Sequence, residues 1–532
     1  MARKSRFTVA VLLAWSMLSS SSLFADYKTA KALYTKKNYP KAAEAFFEVY
    51  EKGTNKVEKR KAEWGLAQSL EKMKLPYSAS KYYSVIVRRG RVADNPFFRS
   101  ALEDLGKINS KISLGQSHIV QLFKAEIRLS DVPGPARGFY FYYKGVEAFG
   151  DKSLDTADHY FEMVPAGSPY QLGALFHQGV IANLQGRHSR SIALFEKVLA
   201  GTRDRPEYKE LQEMSLMNMA RVNYEIKRFA EAISYYGQIP RDSENWLDAI
   251  WESSWAFFFI EKYNNTLGNI HTIHSPFFEN RFYPEAYILQ SITFLRMCRY
   301  DQVKESMKRF KERYQPVFGD VRGMMNRYKG DPKGFFKFVY DYRTGSLTSY
   351  RKAEEIVKKL SQVDAFKEAM DTIRFTDREI NSLKNKGGGW KSSGLLEDVS
   401  SFLEQKKSTA ILDAGQRVYK EAGTYYTQLM ELSNQTKLIV AEMQLGKLAK
   451  LRSLISIAEE DKKSQFIGGL QKLNINQTLE FWPFEGEYWE DELGFYVYNM
   501  PSKCSTLKDS DAGDKGDKGD KGDKEAPPST KE

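Results

Sequence analysis

The residues able to do chemistry in this chain are few. Two cysteines, Cys298 and Cys504, and six histidines are all it offers as soft metal ligands. That excludes a four-cysteine zinc or iron–sulfur site. His271 and His274 stand three apart in HTIHSPFF, a spacing that lets two imidazoles share a helical face and a metal. No acidic or cysteine partner completes the set, so they read as helix-end histidines. Paired carboxylates occur in WPFEGEYWEDELGFYVY, where Glu485, Glu487, Glu490, Asp491 and Glu492 lie among Trp482, Phe484, Tyr488 and Trp489. Acids beside tryptophan suit glycoside chemistry, but a catalytic pair faces across a cleft from separate elements, and Glu485 and Glu487 are near neighbours in one segment. Lys386-Gly387-Gly388-Gly389-Trp390 lacks the Lys-Ser/Thr and the preceding strand of a phosphate-cradling loop, and reads as a flexible connection. There is no Ser–His–Asp signature, HExxH or Walker motif. No catalytic residue, metal or cofactor is assigned, and the chain reads as a non-enzyme.

The elements that hold these residues follow from length and pattern. The chain has 532 residues, is 42% hydrophobic, 28% charged and 14% aromatic, and can bury a large core in about three domains. Residues 1–25 read as a secretory signal peptide. Arg3, Lys4 and Arg6 precede the apolar run Phe7–Leu18, and small residues lead to a cleavage site after Ala25. The expected location is therefore periplasmic. No later stretch reaches the roughly 18 apolar residues of a membrane span. The formal charge of +12 becomes +9 without the leader, which in a secreted chain points to anionic envelope surfaces and not to nucleic acid. In an oxidising compartment Cys298 and Cys504 are able to pair, though 206 residues separate them and sequence leaves the pairing open.

A pattern recurs through residues 26–315: a small residue, an apolar residue three on, an aromatic about nine on, a small residue twelve on and an aromatic four beyond. Its clearest copy is GVIANLQGRHSRSIALFEKVL, with Gly179, Ala182, Gly186, Ser191 and Phe195. The twelve-on positions are 42, 79, 157, 191, 232, 266 and 303, so the gaps are 37, 78, 34, 41, 34 and 37. The gap of 78 is two units, which places a degenerate copy near Ala101–Lys124. Each unit reads as a helix hairpin whose small residues let the two helices approach, and hairpins stack because one alone cannot bury its apolar face.

This period and these residue types resemble tetratricopeptide repeats. The resemblance implies an all-α solenoid of about seven or eight hairpins with a concave groove that binds protein segments. Tyr140, Tyr143, His177, Asn218 and Tyr224 are the expected groove positions. With the leader, HSPFFENRFYPEAYILQSITFLRMCRY and the terminal FWPFEGEYWEDELGFY, the chain also resembles envelope tetratricopeptide proteins of predatory and gliding delta-proteobacteria. That resemblance implies a periplasmic scaffold for protein partners in a multiprotein envelope complex, some of which serve gliding or envelope assembly. The alternative is a peptidoglycan- or glycan-binding protein, or a regulator of a cell-wall enzyme.

Beyond the repeat, residues 316–472 read as further helices, with amphipathic stretches at 349–372 and 375–386. Leu429, Leu432, Ile439, Met443, Leu445, Leu448, Leu451 and Leu454 form one apolar face of a helical hairpin or short coiled coil. Residues 473–504 are an acidic, aromatic segment. Three uses compete for it: a flap on the last groove, a partner surface using Trp482, Phe484, Glu485, Tyr488 and Trp489, and a sugar site. Pro483, Gly486 and Gly494 argue against a long helix there, and GFYVYNM reads as a short strand. Residues 505–532, with four Gly-Asp-Lys triplets, read as a hydrated disordered tail.

Overall fold

The computed structural model describes residues 26–124, 127–345, 349–460 and 486–504, with side chains omitted for 453–460. The leader, the tail, and Trp482, Phe484 and Glu485 therefore lie outside the described residues. Within them every regular element is helical. Successive pairs are α1 (Tyr27–Thr35) and α2 (Tyr39–Lys52), α3 (Lys56–Lys72) and α4 (Pro76–Arg88), and α5 (Phe98–Asn109) and α6 (Gln116–Leu122). They continue as α7 (Arg137–Gly150) and α8 (Leu154–Glu162), α9 (Gln171–Leu184) and α10 (His188–Thr202), and α11 (Lys209–Glu225) and α12 (Phe229–Tyr236). The last are α13 (Trp246–Phe259) and α14 (Tyr263–Ile273), then α15 (Glu285–Arg296) and α16 (Tyr300–Arg327). Neighbours in sequence pack on one another along most of this array, the arrangement of a helical repeat. Helices α5 and α6 fall where the degenerate copy is expected, near Ala101–Lys124, but they pack on α4 and α7 and scarcely on one another.

The period read from the sequence reappears in burial and in backbone. Ala42, Ala79, Ala157, Ser191, Ala232, Thr266 and Val303, the seven twelve-on positions, are all completely buried. Five residues before each stands one residue in the left-handed region: Lys37, Lys74, Lys152, Gly186, Lys227, Glu261 and Cys298. One turn geometry thus joins the two helices of every such pair. Only Gly186 among these turn residues announces a left-handed backbone by its type. The small residues are under a tighter limit than the pattern suggests. A Cβ added at Gly145 would lie 2.7 Å from the Phe161 ring, and one at Gly179 2.8 Å from the Phe195 ring, so even alanine crowds these sites.

The C-terminal helices are α17 (Pro332–Arg343), α18 (Glu354–Leu360), α19 (Asp364–Lys384), α20 (Gly388–Ser393) and α21 (Leu395–Glu460). Three expectations are corrected here. The charged stretch breaks at 361–363 and runs unbroken through 373–374, because Leu360 and Phe366, both fully buried, anchor separate helices. The triple glycine is no loose linker: Trp390 is 3% exposed and its indole Nε1 donates to the carbonyl of Pro40 at 3.0 Å. The expected hairpin is a single helix of 66 residues, about 100 Å long at 1.5 Å per residue. Its inward stripe holds Leu395, Val399, Leu403, Ala414, Val418, Ala422, Leu429, Leu432, Ile439 and Met443. Leu445, Leu448 and Leu451 are 65%, 51% and 55% exposed. Leu445 comes two residues after Met443, about 200° around the helix, so it leaves the seam. The side chain of Leu454 is outside the described set.

This long helix ties the beginning of the array to its end, packing on α4, α15, α16, α17, α18, α19 and α20. Buried polar groups mark the join. Glu379 of α19 accepts from the backbone N–H of Tyr77 at 2.7 Å and of Ser78 at 2.9 Å, and from the Ser78 hydroxyl at 2.5 Å. It satisfies donors at the start of α4 that have no partner within that helix. Lys406 Nζ donates to the carbonyl of Leu114 at 2.6 Å, and burial lowers its pKa to about 8.

Candidate functional site

Helix α14 presents Asn264, Gly268, His271 and Thr272 along one face, the spacing that aligns side chains on a helix. Residues 486–504 lie across this face as a strap. After a turn at 490–495 the chain runs extended, and it is not part of a sheet, so the strand expected from GFYVYNM is corrected: its hydrogen-bond partners belong to a helix. The Gly494 N–H donates to Thr272 Oγ1 at 2.9 Å. The Tyr498 N–H donates to the Asn264 carbonyl at 3.0 Å, and the Met500 N–H to Asn264 Oδ1 at 3.2 Å. The Lys503 N–H reaches the Met297 carbonyl at 2.8 Å.

Two glycines make the approach sterically feasible. A Cβ at Gly268 would lie 1.6 Å from the carbonyl oxygen of Tyr496, and one at Gly494, whose φ is +90°, would lie 2.7 Å from the Trp246 ring. Side chains then alternate as on any extended chain. Tyr496 and Tyr498 turn inward to His271, with ring centroids at 4.8 and 5.7 Å, and Tyr488 stacks on the same imidazole at 4.6 Å. Phe495 and Val497 turn outward, 70% and 38% exposed, beside Trp489 at 51%. Burial holds the His271 pKa down at about 4 and pushes the Tyr498 hydroxyl up to about 12. That hydroxyl lies 3.3 Å from His271 Nδ1, which accepts from it in the neutral tautomer that carries its proton on Nε2.

Cations grip the strap at both ends through its backbone. Arg241 donates to the carbonyls of Glu490 and Asp491, the latter at 2.8 Å, and stacks over Phe495 and Trp246. Arg299 donates twice to the carbonyl of Pro501, at 3.0 and 2.7 Å. The last residue of the strap, Cys504, is disulfide-bonded to Cys298, so no cysteine is free. Cys298 is the left-handed residue of the turn between α15 and α16, which answers the pairing question that sequence left open.

The two histidines face different neighbours. His274 stacks on Tyr287 at 4.0 Å, while His271 meets the strap. No group of three or more potential metal ligands occurs among the described residues. Of the expected strap contacts, Tyr488 is seated on His271 and Trp489 is exposed. Of the expected groove residues, Tyr140 and Tyr143 are corrected to the core. They are 4% and 9% exposed, with hydroxyls engaged by the carbonyl of Ile127 and the side chain of Asn109. His177 lies parallel to Phe161 at 4.9 Å, and burial lowers its pKa to about 4. These three rings pack between helices because aromatic residues fill the gaps that small residues leave. Asn218 is half-buried and bonds back to the Met214 carbonyl at 2.8 Å. Tyr224 is half-buried against Phe229 and Phe259. The residues that receive the strap, Arg241, Asn264, Gly268, Thr272 and Arg299, have no signal in the sequence, since a polar helix face looks the same with or without an occupant. A cavity of about 560 Å³ lies between the α6 region and helices α19 and α21, lined among others by Arg88, His118, Glu368, Lys406 and Arg417.

No protein-family model matches the chain, and no curated protein sequence matches it. Among solved structures, the apo form of RapI matches 64% of this chain and 98% of its own, at 13% identity and a TM-score of 0.32. No helix among the described residues is long and apolar enough to cross a membrane.

Proposed function

We propose that the protein is a non-catalytic tetratricopeptide scaffold of the periplasm that holds protein partners of a cell-envelope complex. The observation that carries the reading is the strap's outer edge. Trp489, Phe495 and Val497 expose apolar surface while the backbone beneath them is fixed by hydrogen bonds and a disulfide. An exposed aromatic edge on a rigid support is how a docking surface is built, since little order is lost when a partner binds. The fully buried period of small residues supports the tetratricopeptide reading, and a disulfide across 206 residues supports an oxidising compartment. In this reading Asn218 and Tyr224, both half-buried, remain the proposed groove contacts for a second partner.

The test is a photo-crosslinking residue at position 495 of the full chain, activated in the source cells. Discrete adducts that Trp489→Ala removes support the scaffold, and crosslinking to lipid or to nothing refutes it. The glycan alternative rests on the exposure of Trp489 and predicts quenching of its fluorescence by muropeptides; a flat titration removes it. Finding Asp26 at the N-terminus of the secreted chain tests the location.

A further inference from the structure

We propose that the α14 face beneath the strap is a docking channel for an extended, acidic, tyrosine-bearing segment of a partner protein, with residues 486–504 as its resident occupant and the Cys298–Cys504 bond as the latch. The features of the channel are those of a peptide site. Asn264 offers both its carbonyl and its side-chain oxygen to N–H groups two residues apart on the occupant, and Thr272 takes a third N–H. These contacts recognise extended backbone whatever chain it belongs to. Gly268 lets that backbone touch the helix, and the His271 ring meets three tyrosines of the occupant.

The rim is positively charged, which favours an acidic occupant. Arg241 and Arg299 bind the two ends of the strap, and the positive charge of Arg309 acts on Tyr488 and Tyr498. The strap contributes Glu487, Glu490, Asp491 and Glu492 against one cation, Lys503. The segment that fits therefore has glycine where it passes Trp246, tyrosines two and four residues later, and acids upstream.

The latch is placed for exchange. Cys504 is exposed, whereas Cys298 is half-buried in its turn. A dithiol reductant attacks the Cys504 sulfur as its thiolate, and Cys298 leaves as a thiolate that takes up a proton. The second thiol of the reductant then displaces Cys504 from the mixed disulfide. Two electrons pass to the protein, both cysteines end as thiols, and the reductant ends as its disulfide. The strap is then held by non-covalent contacts alone, and a free segment competes with it by mass action.

The test uses the full chain and a fluorescent peptide of residues 486–504 with Cys504→Ser. Peptide affinity is measured by anisotropy on the oxidised chain, on the chain reduced by dithiothreitol, and on a Tyr496→Ala/Tyr498→Ala/Cys504→Ser variant whose own strap is unseated. Circular dichroism checks that each remains helical. The expected order is no binding to the oxidised chain, binding at least tenfold tighter after reduction, and the tightest binding to the variant. Absence of binding to the folded variant overturns the channel. Equal binding to the oxidised and reduced chains overturns the latch. A scrambled peptide that binds equally well overturns the recognition pattern. None of these outcomes depends on a partner at Phe495, so failure here and failure of the scaffold reading are told apart.

Discussion

Replacing Gly179 by alanine sets two effects of opposite sign against each other. In a helix interior exposed to solvent, Gly→Ala stabilises by about 1 kcal/mol, because glycine loses more backbone freedom on folding. At Gly179 the new Cβ would stand 2.8, 2.9 and 3.1 Å from three atoms of the Phe195 ring, where ordinary contact begins near 3.4 Å. The ring must therefore retreat by about 0.6 Å, yet it is completely buried and lies against Phe176 with centroids 5.6 Å apart. Overpacking of a full core costs about 1–3 kcal/mol, so the net effect is a loss of about 0–2 kcal/mol. Gly319 is the control: it lies inside α16 with nothing within 4 Å of an added Cβ, so Gly319→Ala gains roughly 0.5–1 kcal/mol. Phe195→Leu, harmful alone, becomes less so in the Gly179→Ala background. Urea denaturation followed by far-ultraviolet circular dichroism gives the order of midpoints, and hydrogen exchange of α9 and α10 localises the change. If Gly179→Ala stabilises as much as Gly319→Ala, close helix packing does not explain the small residues of the repeat.

Three further expectations follow from burial and charge. Trp390→Ala loses a 3% exposed indole and its bond to Pro40, costs about 3–5 kcal/mol, and speeds exchange of α2 amides; unchanged stability would return 387–390 to a loose linker. Leu432→Ala, in the seam of α21, costs about 2–5 kcal/mol, whereas Leu445→Ala, 65% exposed, stays within about 0.5 kcal/mol; equal effects in a denaturant titration would contradict the single-helix seam. Burial holds His177 and His271 near 4 in the folded chain against 6.5 for the free imidazole. The stability that depends on keeping these rings neutral is complete above pH 6.5 and is lost as pH falls toward 4, by at most about 3 kcal/mol per ring. His177→Gln flattens the stability–pH curve between those values, and an unchanged slope would refute the burial argument.

Much of the array was legible in one sequence because its cause is local and repeated. A small residue at a fixed distance from an aromatic is a steric demand within one hairpin, and seven copies of it show through single-site noise. Helix type, the period and the buried twelve-on positions all follow from that. The left-handed turn residues were invisible because lysine and glutamate fill most of those places, and the turn is imposed by the two helices it joins. Tyr140, Tyr143 and His177 show the converse limit: residue type marks them as aromatic or polar, but which side of a helix meets a neighbour decides whether a ring fills a gap or faces a groove.

What the chain determined by itself is its all-helical repeat, because those constraints act over at most about forty residues. What only tertiary structure decided are the joins between distant segments: Trp390 on Pro40, Glu379 on the start of α4, and the strap on α14 with Cys504 bonded to Cys298. Such contacts depend on where two surfaces meet in space. Nothing in Asn264, Gly268 or Thr272 alone records that a segment more than 200 residues later lies across them.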